Sequence, residues 1–276
     1  YLYVSNNNSL SLNNISTNIQ ESYGIFLYQS KFTNITSNEI RTSEDYLSEG
    51  IFLSSVSNNN LIQNNYINPV LRGISLNDNS NHNLIKNNSI SASDIGIYLS
   101  YVDNNSFQSN KIIFTGAEGF YFNNSINSNL TNNEINSSSY PFLINPSNNL
   151  SYYLNYIDNN NVAESLPIYY YNNYTNTLIN NLGDFSFLYL SNSNNITINS
   201  LNISHYGLMI SSVNNSQIKN NSFNVTVYNR QGLEIRSNSE SINITNNTFN
   251  VNYGNGMYIY SYNSLTSNIQ DNIYYV

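Results

Sequence analysis

The sequence contains no cysteine and no tryptophan, and only 9% of its 276 residues are charged. About a quarter of the residues of a typical soluble domain are charged. The lack of cysteine excludes disulfides and thiol chemistry, but it does not identify the compartment. No run of apolar residues reaches the length of about 18 that a membrane-spanning helix requires. The surface must therefore be kept soluble mainly by neutral amides and hydroxyls.

Basic residues are also scarce, since 8 Lys and Arg stand against 16 Asp and Glu. None of the basic residues are clustered, which disfavours nucleic acid and anionic membranes as partners. No composition break or linker interrupts the chain, and 39% of the residues are apolar. We therefore predict a single domain covering residues 1–276. Because the sequence begins at Tyr1, we expect a mature, processed or excised segment of a longer surface protein.

A repeated pattern, apolar-x-x-Asn-x-apolar, runs through the whole sequence. Its asparagines are Asn13, Asn38, Asn65, Asn88, Asn110, Asn133, Asn155, Asn180, Asn199, Asn221, Asn247 and Asn272. The residue two positions after each of them is apolar or aromatic, and so is the residue three positions before, with Thr177 as the one exception. The steps average about 23 residues, a period that indicates a solenoid or another repeat architecture.

A second pattern, Gly-apolar-x-apolar, precedes most of these asparagines. Its glycines are Gly24, Gly50, Gly73, Gly96, Gly119, Gly207, Gly232 and Gly256. The alternation of apolar residues is typical of a strand with one face inward. Each repeat then has three short strands, and stability comes from stacking one repeat on the next.

These patterns predict an all-β, right-handed, single-stranded parallel β-helix of about 12 rungs. We expect the recurring asparagine to occupy a tight bend, because Asn tolerates the left-handed backbone region. Its amide should donate to one rung and accept from the next, forming a ladder. The glycine should mark another bend or a place where backbones crowd.

The sequence from Gly50 to Ile67, and again from Gly73 to Ile90, resembles the short repeats of the pectate-lyase-like β-helix superfamily. The resemblance implies the fold for nearly the whole chain. It leaves activity open, because the superfamily includes polysaccharide lyases and hydrolases, carbohydrate-binding proteins, a periplasmic copper-processing family and archaeal adhesin-like surface proteins. The Asn-, Ser- and Tyr-rich, Lys-poor composition also resembles that of archaeal surface-layer proteins.

The pattern weakens between residues 141 and 187. The glycine is missing there, and Pro141, Pro146 and Pro167 fit bends better than strand interiors. We expect a local irregularity in this region. Neither end of the sequence carries an obvious polar cap, so we expect the open ends to be covered by further sequence or by another subunit.

A sparse stripe of charge is the only candidate for catalysis. Stacking should place Glu49 beside Arg72, with Asp94 and Glu118 nearby, and these four are the catalytic candidates if the protein is an enzyme. Glu44, Asp45 and Glu49 form a weak calcium candidate. The alternative is a solvated stripe of ion pairs that contributes little. We predict no cofactor, and His82 and His205 are interpreted as surface residues.

Tyrosine is abundant, at 26 residues, and most of them are expected in the core and at rung edges. Four close together are candidates for stacking on sugar rings: Tyr169, Tyr170, Tyr171 and Tyr174.

Acceptor triplets for N-glycosylation, Asn-x-Ser/Thr, are frequent, partly because the chain is made of Asn and Ser. They begin at Asn7, Asn14, Asn34, Asn87, Asn104, Asn123, Asn129, Asn136, Asn149, Asn173, Asn195, Asn202, Asn214, Asn220, Asn224, Asn243 and Asn246. If the protein meets a glycosylation machinery, several outward acceptors should be modified.

The leading functional hypothesis is an extracellular, N-glycosylated structural or adhesive surface protein or filament subunit without catalytic activity. Its partners would be covalent glycans and other copies or surface proteins at the solenoid ends. The alternatives are a polysaccharide lyase or hydrolase and a non-catalytic carbohydrate-binding module.

Overall fold

The computed structural model describes residues 1–18, 22–42, 48–69, 71–147, 149–236, 238–260 and 268–275. Strands account for 56% of the residues and helix for 2%, and the strands stack in parallel as about 11 turns of a β-solenoid. The prediction of an all-β, right-handed parallel β-helix is confirmed, with about one turn fewer than expected. No helix in the described ranges is long and apolar enough to cross a membrane.

The chain divides into two compact units, unit 1 (Tyr1–Asn161) and unit 2 (Val162–Val276). Unit 1 has three parallel sheets, to which each turn contributes one strand. The first sheet contains Leu2–Tyr3, Tyr23–Tyr28, Glu49–Ser54, Arg72–Asn77, Ile95–Ser100, Phe120–Asn123 and Phe142–Asn145. The second contains Ser9–Ser11, Asn34–Thr36, Leu61–Gln63, Leu84–Lys86, Ser106–Gln108, Asn129–Thr131 and Tyr156–Ile157. The third contains Asn14–Thr17, Glu39–Thr42, Tyr66–Asn68, Ser89–Ser91, Lys111–Phe114 and Glu134–Ile135.

The core of unit 1 is made of columns of like residues. In the first sheet Leu27, Leu53, Leu76 and Leu99 are paired strand to strand and fully buried. The glycine that leads these strands is required by crowding. A Cβ on Gly73 would lie 2.4 Å from a backbone oxygen of the next turn and 2.3 Å from an isoleucine methyl carbon. Of the two roles expected for the glycine, backbone crowding is the one observed at this position.

A ladder of buried asparagine side chains joins the turns of unit 1. The Oδ1 atom of Asn88 accepts from the backbone N–H and the Nδ2 of Asn65, at 3.0 and 2.9 Å. Its own Nδ2 donates to the backbone oxygen of Ile62 and to Oδ1 of Asn110, both at 3.0 Å. An amide has two donors and two acceptor sites, so all four are used. The members of this ladder are Asn13, Asn38, Asn65, Asn88, Asn110, Asn133 and Asn161.

The assignment of Asn155 to this ladder was wrong, because Asn161 takes the place below Asn133, with an Nδ2–Oδ1 distance of 2.8 Å. Asn155 instead accepts from the backbone N–H of Ser128 at 3.0 Å, at a different corner of the turn. The pattern selected Asn155 because an apolar residue precedes it by three positions, whereas Asp158 precedes Asn161.

The expected bend conformation was also assigned to the wrong residue. The left-handed backbone lies one position before the ladder asparagine, as at Asn64 (φ 55°) and Asn87 (φ 53°). None of the ladder asparagines has a positive φ. The two tasks are separate because the bend residue turns outward, while the ladder residue turns inward to be enclosed by amides.

Unit 2 has longer strands, two of them with 13 and 12 residues. Its strands are Val162–Ala163, Leu166–Asn172, Thr175–Ile179, Phe187–Asn199, Asn202–Ser204, Leu208–Lys219, Ser222–Val225, Leu233–Ile235, Glu240–Thr245, Thr248–Val251, Met257–Ile259, Asn268–Gln270 and Ile273–Tyr275. The irregularity expected between residues 141 and 187 is present in each unit. Unit 1 has a 3₁₀ helix at Leu150–Tyr153, and unit 2 has an antiparallel pairing of Val162–Ala163 with the start of the next strand.

The ladder continues in unit 2 through Asn221, Asn247 and Asn272. The assignments of Asn180 and Asn199 were wrong. The backbone N–H that donates to Asn221 Oδ1 belongs to Leu201, at 3.0 Å, so Leu201 occupies the ladder position of that turn. Asn199 is paired with Lys219 in the sheet, and Asn180 follows the Ile179–Ile198 pair in the same register.

Candidate functional site

The charged stripe expected from the sequence lies on the first sheet of unit 1. The sheet pairs Glu49 with Arg72 and Arg72 with Ile95, the residue after Asp94. Arg72 Nη1 lies 3.1 Å from Glu49 Oε1. The Glu49 side chain is only 8% exposed, and that of Arg72 is 26% exposed. The pair is therefore partly withdrawn from water rather than a fully solvated surface contact.

An aromatic ring completes this cluster, and the sequence reasoning did not identify it. The Arg72 guanidinium lies 3.9 Å from the ring centre of Tyr98, within cation–π distance. Tyr98 is in turn stacked on Tyr121, with ring centres 5.7 Å apart and planes at 14°. Tyr98 occupies the x position of the Gly-apolar-x-apolar motif. In unit 1 the strand alternation places that position on the outer face of the sheet, so the sequence could have revealed on which face Tyr98 lies.

Burial changes the acidity of both carboxyl groups near Arg72. It raises the pKa of Glu49, against the lowering effect of the Arg72 charge. Burial likewise raises the pKa of Asp94, and Arg72 again opposes the rise. A carboxyl group whose pKa is raised can act as a general acid, provided that a substrate reaches it. Glu49, Arg72 and Asp94 thus form one electrostatic group.

The remaining members of the predicted charged site are Glu118, Glu44 and Asp45. The turn of Glu118 follows that of Asp94, and the backbone N–H of Ala117 donates to the backbone oxygen of Asp94 at 2.9 Å. Oε1 of Glu118 accepts from the hydroxyl of Ser139 at 3.0 Å, in the following turn. Glu44 and Asp45 lie outside the described residues, so Glu49 is the one calcium candidate that the structure locates. The described part of the chain contains no group of three or more His, Asp or Glu residues that could hold a metal ion.

The two histidines lie in different units of the chain. His82 lies in unit 1 at an exposed bend with a φ of 56°. His205 lies in unit 2, with its Nδ1 3.4 Å from the hydroxyl of Thr226.

The four candidate tyrosines of unit 2 lie together but face different ways. Tyr169 and Tyr171 are stacked on each other at 6.2 Å and pack against the buried core cluster. Tyr170 accepts a hydrogen bond from the Ser191 hydroxyl at 3.0 Å. Tyr174 contacts the edge of Tyr171 at 5.3 Å and is 43% exposed. Burial is the main cause that raises the pKa of Tyr171, and the neighbouring Tyr169 and Tyr174 raise it further. Of the four, Tyr174 offers the most accessible ring.

All the acceptor asparagines lie on the outside of the turns. The exposed ones are Asn7, Asn14, Asn87, Asn104, Asn149, Asn173, Asn195, Asn202, Asn220 and Asn246. The half-buried ones are Asn34, Asn123, Asn129, Asn136, Asn214, Asn224 and Asn243. The ladder asparagines are excluded from this set by register, because the second residue after each of them points into the core and is apolar or aromatic.

Comparison with known proteins gives one partial family match. The family model of the periplasmic copper-binding protein NosD matches residues 68–181, less than half of the chain. No curated protein sequence matches the chain.

Three solved structures are similar, each at low identity. The A-module of the Azotobacter vinelandii mannuronan C-5 epimerase AlgE6 is 11% identical over 97% of this chain and 81% of its own, with a TM-score of 0.49. An alginate lyase from Paenibacillus sp. str. FPU-7 is 11% identical over 91% and 76%, with a TM-score of 0.39. The Streptococcus pneumoniae surface protein and adhesin PfbA is 12% identical over 98% and 67%, with a TM-score of 0.40.

Proposed function

We propose that this chain is a structural or adhesive module located outside the cytoplasm, covered by N-linked glycans and without catalytic activity. The observation that carries the proposal is the distribution of acceptor asparagines. All of them lie on outward positions, and ten are exposed. With only 9% charged residues, a glycan coat would add hydration to a surface that is otherwise kept soluble by neutral amides and hydroxyls. The match to a periplasmic family model supports a location beyond the cytoplasmic membrane.

Mass spectrometry of the protein isolated from its native source tests the coat. Peptides covering the exposed acceptors should carry glycan, and enzymatic removal of the glycans should lower solubility. Native protein that carries no glycan at any acceptor contradicts the proposal.

The adhesive or structural role also predicts association through the terminal turns. Tyr3 is 72% exposed on the first strand of unit 1, and Tyr275 is 60% exposed on the last described strand of unit 2. Exposed apolar residues on stacked strands are suited to strand addition by another copy. Sedimentation of the native chain should show concentration-dependent association. A strictly monomeric chain contradicts this part of the proposal.

A polysaccharide lyase or hydrolase is the second candidate, and the cluster of Glu49, Arg72 and Asp94 is the observation that favours it. A buried acid with a raised pKa beside a cation and an aromatic ring is a combination that can bind and protonate an acidic sugar. Incubation with uronic-acid polymers, with and without Ca²⁺, tests this candidate. Unsaturated products that disappear in Glu49→Gln favour the enzyme. The absence of both unsaturated products and newly released reducing ends after incubation with the native protein favours the scaffold.

A carbohydrate-binding module without turnover is the third possibility. Glycan-array binding that is lost in Tyr174→Ala and kept in Tyr275→Ala favours such a module. The copper suggested by the family name does not fit the described residues, because the chain has no cysteine and these residues contain no group of three or more His, Asp or Glu that could hold a metal ion.

A further inference from the structure

Seven of the acceptor asparagines share a backbone conformation that sets them apart. Each is exposed and has a left-handed backbone, with φ between 53° and 62°; six lie between strands, and Asn195 lies within the strand Phe187–Asn199. We call these seven the bend acceptors: Asn7, Asn87, Asn104, Asn173, Asn195, Asn220 and Asn246. At such a bend the chain turns a corner of the solenoid, so the Asn projects from an edge rather than from a flat sheet.

The acceptors on the strands differ in accessibility. A transferase must reach both the asparagine amide and the hydroxyl two residues later. For Asn123 and Asn214 that hydroxyl is buried and already engaged. Ser125 Oγ accepts from the backbone N–H of Val102 at 3.3 Å, and Ser216 Oγ accepts from that of Ile196 at 3.0 Å. The hydroxyls of these two acceptor triplets are therefore not accessible to a transferase.

The bend acceptors of unit 1 are widely spaced. The bends stack turn upon turn in columns, about 4.8 Å apart. Asn7 and Asn104 share one column but lie four turns apart, roughly 19 Å at this spacing. Asn87 is the one acceptor in its column, since the neighbouring bend residues Asn64 and Asn132 do not begin a triplet. Glycans at these three positions do not meet within a column.

Unit 2 repeats this spacing with one exception. Asn173 and Asn195 are each the one acceptor of their columns. Asn220 and Asn246, by contrast, directly precede the consecutive ladder residues Asn221 and Asn247 and so lie in adjacent turns of one column. At about 4.8 Å separation a branched glycan on one of them covers the other.

We infer that N-glycans are attached at the bend acceptors and not at Asn123 and Asn214, and that Asn220 and Asn246 carry one glycan between them. The inference rests on the proposed glycosylation. In the reaction the asparagine Nδ2 loses a proton and bonds to the anomeric carbon of a sugar. The bond from that carbon to a lipid-linked diphosphate breaks, and the diphosphate leaves. A modified Nδ2 keeps one hydrogen, so the 2.8 Å bond from Asn220 to Asn199 Oδ1 survives.

Glycopeptide mapping and intact-mass measurement of the native chain test this inference. We expect glycan at Asn7, Asn87, Asn104, Asn173 and Asn195, and on either Asn220 or Asn246 in any one molecule. Glycan at Asn123 or Asn214, or modification of Asn220 and Asn246 in the same molecule, overturns it. A chain without any glycan contradicts the proposed function instead, so the two failures are distinguishable.

Two matched variants, expressed in the native source, test the exclusion. Ser222→Ala removes the hydroxyl required at Asn220 while leaving Asn220 in its bend, and Thr248→Ala does the same for Asn246. In each variant the other asparagine should shift from shared to full occupancy, with no loss of total glycan mass. A loss of glycan mass, with the occupancy of the other asparagine unchanged, shows that the two are modified independently.

Discussion

Replacing a single ladder asparagine should destabilise unit 1 far more than replacing its exposed neighbour. Asn88 is 1% exposed and uses both of its donors and both of its acceptor sites. In Asn88→Ala the buried backbone N–H of Asn65 loses its partner, at a cost of about 1–3 kcal/mol. The Asn65 amide, the Ile62 carbonyl and Asn110 Oδ1 each lose one bond, at about 0.5–1.5 kcal/mol apiece. We expect a loss of about 3–6 kcal/mol in the free energy of unfolding.

Asn88→Asp adds a dependence on pH. The new oxygen replaces Nδ2 and faces the Ile62 and Asn110 oxygens, both 3.0 Å from the original nitrogen. Burial and these oxygens disfavour the charged form, so the folded-state pKa of Asp at position 88 is raised above its unfolded value. Protonation stabilises the folded variant below the unfolded pKa, and that stability is lost as the pH rises through the folded pKa. The deficit relative to the original protein should therefore grow from about pH 3 to pH 7.

The matched control is Asn87→Asp, one residue earlier at the exposed bend with a φ of 53°. Asp also tolerates the left-handed region, so the change in stability should stay within about 0.5 kcal/mol. Urea unfolding followed by far-UV circular dichroism, on unglycosylated chain, measures both variants. Hydrogen exchange at the Asn65 amide locates the effect, since that N–H should lose protection in Asn88→Ala. Equal stability of the position 87 and position 88 variants would refute the ladder argument.

Three further predictions concern single positions in unit 1. Val56 is β-branched and has a φ of 67°, a strained combination. Val56→Asn should therefore raise the free energy of unfolding by about 1 kcal/mol, as measured by urea unfolding. A decrease contradicts the assignment of strain. Gly73→Ala places a methyl group 2.4 Å from the Gly96 oxygen. This change should lower the melting temperature by about 5 °C or more, or prevent folding. An unchanged melting temperature shows that the turns can separate. Burial raises the pKa of Glu49, so its contribution to stability is present below its unfolded pKa and lost as the pH rises through its folded value. The melting temperature of Glu49→Gln should therefore be closer to that of the original protein at pH 4 than at pH 7. At pH 7 the variant should be the more stable of the two. A difference in melting temperature that is the same at both pH values contradicts the direction of the pKa shift.

The strands and most of the ladder could be predicted from the sequence because every turn faces the same physical task. Inward positions must be apolar, and the amide column must be continuous, so Asn65, Asn88 and Asn110 recur with the same neighbours. Local repetition of this kind encodes long-range contacts directly.

The ladder assignments failed where the strand alternation imitates the motif. A strand alternates every two residues, so a shift of two leaves the same apolar pattern around a different residue. Asn199 has Ile196 and Leu201 at the required positions, although Leu201 itself occupies the ladder place. A pattern based on hydrophobicity alone does not distinguish these two registers.

The charged cluster was partly predictable for the same reason. Glu49 and Arg72 each precede the glycine of their turn, so stacking predicts the adjacency that the structure shows at 3.1 Å. The contact of Arg72 with the Tyr98 ring and the bond of Glu118 to Ser139 depend on the rotamer directions of these side chains. Those directions depend on the packing around each side chain, which the spacing of residues does not specify.

The ladder has a consequence for how such a chain can change its length. In each turn the ladder asparagine donates from Nδ2 to Oδ1 of the next ladder asparagine. Its own Oδ1 accepts the same kind of bond from the previous one. A complete turn could therefore be duplicated or removed as a cassette, with the flanking turns meeting through bonds of the same kind. Insertions of a few residues are compatible only with the corners, and the Nδ2–Oδ1 contacts already join residues from 22 to 28 positions apart. Gene-level recombination in whole turns is thus the route by which this architecture lengthens or shortens without redesign of its interior.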